Sequence, residues 1–262
     1  MLRKLLKYDL KYSYKALIVF YILSILFAVL SRLCLLSDSN IMIILYKVNC
    51  GITISMMVNI LINNLLRIWV RFNNNIYKDE SYLTHTLPVE KKTLYLSKIL
   101  TAIITLFTSI LVITLTLFIA YYSKENIEIL KKILLPIATT YGSTIIKILL
   151  AFIFVLFLEF ANILQSGYTG IILGHKMNNS KVAFSVLFGF CTYIITQILV
   201  LISIFIVALF NKDIMNLFFT NQIININMVK IIIYLSIIIY TITIIIGYII
   251  NIKLFKKGVN VD

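Results

Sequence analysis

The side chains able to do chemistry in this 262-residue chain are few and far apart. Glu159 is the one acid well inside an apolar stretch. A carboxylate in hydrocarbon is costly, and it commonly marks an ion path, a proton relay or a substrate contact. Its place, about a turn and a half from the inner end of its stretch, equally suits a glutamate facing a cytoplasmic cavity. An intramembrane enzyme built on Glu159 needs a second catalytic group, and none accompanies it. His85 and His175 stand 90 residues apart with no flanking acidic motif. H-E-x-x-H and G-x-S-x-G are absent. Cys34, Cys50 and Cys191 lack metal-ligand spacing. Cys34 and Cys50 either bridge or stay as buried thiols. No G-x-x-x-x-G-K-[ST] loop is present, so any ATP that drives this protein binds another polypeptide. The chain reads as a non-enzyme that binds no cofactor of its own.

Weaker polar signals recur at helical spacing. Ser55, Asn59 and Asn63 fall every fourth residue, as do Thr192 and Thr196. Ser236, Tyr240, Thr243 and Gly247 form a third stripe. Such stripes line a substrate path or join helices through small, hydrogen-bonding residues. Gly170 and Gly174 give G-x-x-x-G, which permits close helix approach or supplies a flexible loop.

The elements that must hold these residues follow from composition. Hydrophobic residues make up 61% and charged residues 13%, and mean hydropathy is +1.01. Soluble domains are about half apolar and about a quarter charged, so the excess calls for a lipid solvent. Six stretches reach the roughly 20 residues a span needs: 17–36, 41–66, 99–121, 141–164, 183–210 and 229–250. They must be helices, because an isolated strand leaves its backbone unpaired in hydrocarbon. The expected fold is an all-α integral membrane protein, with residues 1–262 as one transmembrane domain.

Charge sets orientation. Lys and Arg total 24 against 10 acids. Sixteen of the 24 flank one set of span ends: before the first, between the second and third, between the fourth and fifth, and after the sixth. Basic residues gather on the cytoplasmic side, which places both termini there. Anionic headgroups account for the excess, and nucleic acid is not needed as a partner.

Residues 1–15 alternate basic and apolar types, with Leu2, Leu5, Leu6 and Leu10 near helical spacing. They read as an amphipathic helix lying at the cytoplasmic interface. The loop 67–98 carries most of the chain's polar information. Asn73, Asn74 and Asn75 suggest a break, Asp79 and Glu80 suit a helix N-terminus, and Pro88 ends helical geometry at Leu87. A short helix at 79–86, a Pro turn and a lead-in helix are expected. On the other side, 122–140 and 211–228 read as short connectors, the second dipping into the interface.

The loop Glu80-Ser81-Tyr82-Leu83-Thr84-His85-Thr86-Leu87-Pro88-Val89 resembles the E-G-Y-L-T-x-T-L-P-V stretch of ABC transporter permeases of the type-2 exporter class. The likeness is greatest to the small permeases of bacitracin, lantibiotic and other peptide export or immunity systems. Ser81 replaces the usual Gly. Leu94-Tyr95-Leu96-Ser97-Lys98 and Leu6-Lys7-Tyr8-Asp9-Leu10-Lys11 also resemble that family. The resemblance implies a cytoplasmic coupling helix that docks on an ABC ATPase, carried here by Asp79, Glu80, Tyr82, Leu83, Thr84, His85, Leu87 and Pro88. It implies two permeases and two ATPases per transporter, with ATP and Mg held by the ATPases. It implies a peptide substrate passing between the permeases in a bacterial cell membrane. Ser55, Asn59, Asn63, Glu159, Thr192 and Thr196 are the pathway candidates. The alternative is a membrane-embedded immunity protein that sequesters a peptide or lipid without ATP.

Overall fold

The computed structural model describes residues 1–37, 39–211, 214–215 and 226–257. Their regular structure consists of helices α1 (Leu2–Cys34), α2 (Asn40–Ile76), α3 (Ser81–Thr86), α4 (Lys91–Tyr121), α5 (Lys124–Thr140), α6 (Ile145–Gly174), α7 (Lys181–Phe210) and α8 (Ile226–Lys256). Six of these, all but α3 and α5, are long and apolar enough to cross a membrane. The described residues are all-helical, and the six apolar helices make this a multi-pass membrane protein.

The helices outrun the apolar stretches that announce them. The 33 residues of α1 span about 50 Å at 1.5 Å per residue, against a hydrocarbon layer of about 30 Å. No break separates the basic N-terminal segment from the first span: Leu2–Cys34 is one helix. The expected separate helix over 1–15 is therefore a continuation of α1. Polar residues facing neighbouring helices let it persist, since Asp9 and Ser13 are buried. Likewise, α2 runs through the three asparagines and stops only after Ile76.

The chain forms two compact units, Met1–Ile127 and Glu128–Asp262. In the first, α1 packs along α2 and α4, α2 also touches α4, and α3 rests on α2. Phe72 meets Tyr77 and Tyr95 edge-on, with centroids 6.3 and 6.2 Å apart. In the second unit, α6 packs against α7 and α8, and α7 touches α8.

The connector 122–140 is mostly helix, as α5. Pro136 lies inside it, where it forgoes one backbone hydrogen bond. Gly142, at φ 55°, closes the helix. The Ser143 N–H then reaches back to the Ala138 carbonyl at 2.9 Å, the pattern of a left-handed glycine cap. The other connector, 211–228, falls largely outside the described residues.

Gly170 and Gly174 are helical, which decides between the two readings of that motif. A Cβ on Gly170 would stand 2.6 Å from the Gly189 Cα, and one on Gly174 would stand 2.6 Å from the Ser185 Cα. The glycines let the backbones of α6 and α7 meet.

Candidate functional site

α3 hangs between α2 and α4 and presents two contrasting faces. Ser81 and Thr84 turn inward and are buried. Tyr82 is 71% exposed, Leu83 74% and Leu87 43%. Asp79 and Pro88 are also exposed. His85 Nε2 lies 3.0 Å from the Ile76 carbonyl, against the C-terminal end of α2. Pro88 holds Leu87 in extended geometry, at ψ 136°, and separates α3 from α4.

Glu80 does not act as the helix-terminal acid that its position suggests. It occupies the N-cap position without capping through its side chain. Its carboxylate turns toward α2, where Arg71 Nη1 donates to both oxygens at 2.6 Å. Asn75 Nδ2 donates to Oε2 at 2.9 Å. A charge-assisted contact in partial shelter, with one guanidinium nitrogen bridging both oxygens, outweighs the helix dipole. Burial by itself pushes the Glu80 carboxyl up, but Asn75 and the Arg71 charge outweigh it and hold the group below the usual carboxylate range.

The same Arg71 reaches α1. Its Nε donates to Asp9 Oδ1 at 3.2 Å, and its guanidinium sits 4.5 Å from the Tyr12 ring centroid. Lys98 on α4 donates to both Asp9 oxygens, at 2.8 and 2.7 Å. Asp9 and Lys98 are each only 3% exposed. One ion network therefore ties α3 to all three long helices of the first unit. Asp9 and Lys98 each lie seven residues from the start of their helices, and Arg71 lies five from the end of α2. The network thus sits about 10 Å inside the helix ends.

Sequence reasoning missed this network. Arg71 and Lys98 read as orientation charges, and Asp9 as part of a family-like opening. One signal was present. Each of the three family-like stretches holds a member: Asp9, Glu80 and Lys98.

The polar stripes are placed as follows. Asn59 Nδ2 donates to the Ser55 carbonyl at 2.9 Å, and Asn63 Nδ2 to the Asn59 carbonyl at 3.0 Å, so both turn onto their own helix. The neighbouring Asn64 faces inward and donates to Ser109 Oγ and the Thr105 carbonyl on α4, at 2.6 and 2.8 Å. Thr192 donates to the Ser166 carbonyl at 3.2 Å, and Asn162 donates to Thr196 Oγ1 at 2.9 Å. Those two threonines join α6 to α7. Glu159 belongs to neither set. It lies 14 residues after Ile145 and 15 before Gly174, at the middle of α6, which runs on beyond the apolar stretch that ends at residue 164. The helix continues past residue 164 because Gln165, Ser166 and Tyr168 are buried against neighbours. Cys34, Cys50 and Cys191 are free thiols.

Compared with known proteins, the chain matches no family model, no curated protein and no solved structure.

Proposed function

We propose that this chain is the membrane-spanning permease subunit of an ATP-driven exporter, with α3 as the element that docks on a separate ATPase. One observation carries the reading. α3 exposes Tyr82 and Leu83, at 71% and 74%, while its N-terminal flank is locked by Glu80 to the long helices. Apolar side chains on a short loop outside the apolar stretches are poorly placed in water and well placed in a partner's groove. A rigid tether is what such a partner needs in order to move the membrane helices. The resemblance of Glu80–Val89 to exporter permeases points the same way, with both termini cytoplasmic and the basic end of α1 at the headgroup interface. The cargo is an amphipathic peptide, and two permeases and two ATPases complete the transporter in a bacterial cell membrane.

Affinity purification of the full chain from its own cells tests this. The wild type brings down an ABC ATPase. Leu83→Ala/Leu87→Ala loses at least about 10-fold of it while accumulating normally in the membrane. That loss corresponds to about 1.4 kcal/mol, within reach of two truncated apolar anchors. Undiminished ATPase recovery and transport with the double variant overturns the docking assignment. A wild-type chain that confers peptide resistance with no ATPase attached points instead to an immunity protein that sequesters its ligand.

A further inference from the structure

Eight of the 24 basic residues lie away from the span ends that carry the other sixteen. Orientation explains the sixteen and leaves the eight without a role. Four of the eight gather around α5. Lys131 and Lys132 are on it. Lys147 is the third residue of α6. Lys230 is brought there by Tyr141, the residue that follows α5. Its backbone N–H donates to the Tyr141 hydroxyl at 2.9 Å, and its ammonium sits 5.1 Å from the ring centroid. All four lysines are exposed.

The helix they surround has two faces. At about 100° per residue, Ile129, Leu130, Ile133, Leu134 and Ile137 fall within an arc of about 140°. Glu128, Lys131 and Lys132 fall within about 100°, centred on the opposite side. Leu135 is the apolar exception on the polar side, and the charges of Lys124 and Glu125 in the first turn cancel. Protein covers one part of the apolar arc. Leu134 and Ala138 bury against Ile148, with Ile137, Ile145 and Leu149 alongside. The α6 residues of that contact all lie in its first five, so α5 seats on the end of α6. Ile129, Leu130 and Ile133 stay exposed, Ile133 at 63%. Topology says what covers them. α4 and α6 are consecutive helices long and apolar enough to cross the membrane, and α5 is their connection, so it lies at the membrane surface. With six crossings, that surface is the one opposite both termini. A two-faced helix at this level lies in the headgroup layer with its apolar face against the acyl chains.

We infer that α5, with Lys131, Lys132, Lys147 and Lys230, is a docking surface for anionic phospholipid in the leaflet opposite the termini. Ile129, Leu130 and Ile133 enter the acyl layer, and the lysine ammonium groups meet headgroup phosphates. Charge complementarity favours an anionic headgroup over a zwitterionic one, because the four lysines face Glu128 alone once the first-turn charges cancel. Tyr141 adds an aromatic ring at the level where tyrosines anchor a membrane protein. The surface also fixes the outer end of α6, through the contact of Leu134 and Ala138 with Ile148. The inference stands on six crossings and does not depend on the exporter reading.

The test uses the purified full chain in phosphatidylcholine nanodiscs. Trp69→Phe removes the one native tryptophan, and Ile133→Trp or Lys132→Trp then places an indole on either face of α5. Phosphatidylcholine brominated near the glycerol end of its acyl chains quenches the Ile133→Trp chain at least about threefold more than the Lys132→Trp chain, and aqueous iodide reverses the order. Ile129→Trp repeats the first result from the same face, so a folding defect at one position does not decide the outcome. Equal quenching of the two faces, or iodide reaching Ile133→Trp more readily than bromolipid does, overturns the placement and leaves the face to water or a protein. Energy transfer from the Ile133→Trp indole to pyrene-labelled lipid reads headgroup preference. Pyrenyl phosphatidylglycerol receives at least about threefold more than pyrenyl phosphatidylcholine. Lys131→Gln/Lys132→Gln/Lys230→Gln brings that ratio to about one. A ratio near one with all four lysines present overturns the anionic-lipid surface. So does a ratio that falls when inorganic phosphate is added, which assigns the lysines to a soluble anion. No ATPase takes part, so these results leave the α3 docking test untouched.

Discussion

Replacing Lys98 by Met removes the ammonium from the most buried ion pair of the first unit while keeping the side chain's bulk. Asp9 accepts three hydrogen bonds: two from Lys98, at 2.8 and 2.7 Å, and one from Arg71 at 3.2 Å. After the substitution only the longest remains, from a guanidinium that also serves Glu80. Asp9 stays 3% exposed, so water cannot substitute. Breaking a buried pair from one side costs about 3–5 kcal/mol. The remaining Arg71 contact puts Lys98→Met at the lower end, about 3 kcal/mol. Asp9→Asn removes the charge but keeps hydrogen-bonding capacity, for about 2 kcal/mol. With both changes present, neither strands the other's charge. The double variant therefore costs about 3 kcal/mol rather than about 5, a coupling of about 2 kcal/mol. Unfolding of the four chains by dodecyl sulfate in mixed micelles, followed by circular dichroism, measures the cycle. Costs that add to within about 0.5 kcal/mol refute the claim that the two residues act as a pair.

Two further outcomes follow from the same structure. Gly174→Ala forces a Cβ to 2.6 Å from the Ser185 Cα and should destabilise the α6–α7 contact by about 1–3 kcal/mol. Gly51→Ala, at a helical site with nothing within 4 Å, should stabilise by about 0.5–1 kcal/mol; equal effects in the same micelle assay would contradict the close-contact argument. The Glu80 tether should depend on pH in one direction. Its carboxyl is held below the ordinary value in the folded state, so its contribution is complete above about pH 4.3 and is lost as pH falls through the lowered value. Amide exchange of Ser81–Thr86, corrected for intrinsic rates, should stay protected from pH 8 to 5 and open only in stronger acid. A midpoint near neutrality would refute the assignment.

The spans were legible because hydropathy acts residue by residue and needs no partner. The α3 helix was legible from local signals, since Pro88 and the apolar Tyr82, Leu83 and Leu87 are neighbours in sequence. The ion network was not, because its bonds join residues 62 and 89 positions apart. Seen singly, Arg71 and Lys98 are indistinguishable from charges that merely mark a membrane face. Glu159 was legible as the acid inside an apolar stretch, but the length of its helix was not. α6 runs past the apolar stretch to Gly174, because Gln165 and Ser166 are buried against neighbours. The helix α5 was missed because residues 122–140 read as a short connector; Pro136 sits near its C-terminal end, where one lost hydrogen bond is tolerated.

The separation of Asp9 from its partners also sets an order of assembly. Asp9 leaves the ribosome 62 residues before Arg71 and 89 before Lys98. At about 5–20 residues per second, the carboxylate waits on the order of 10 s for Lys98. Until Arg71 emerges its end of α1 must remain wet, because neither of the partners that the folded chain gives it has been made. The first helix can enter the bilayer early, but its final depth is set only when the fourth arrives. Chains that stall before residue 98 should therefore hold α1 shallower than the finished protein does.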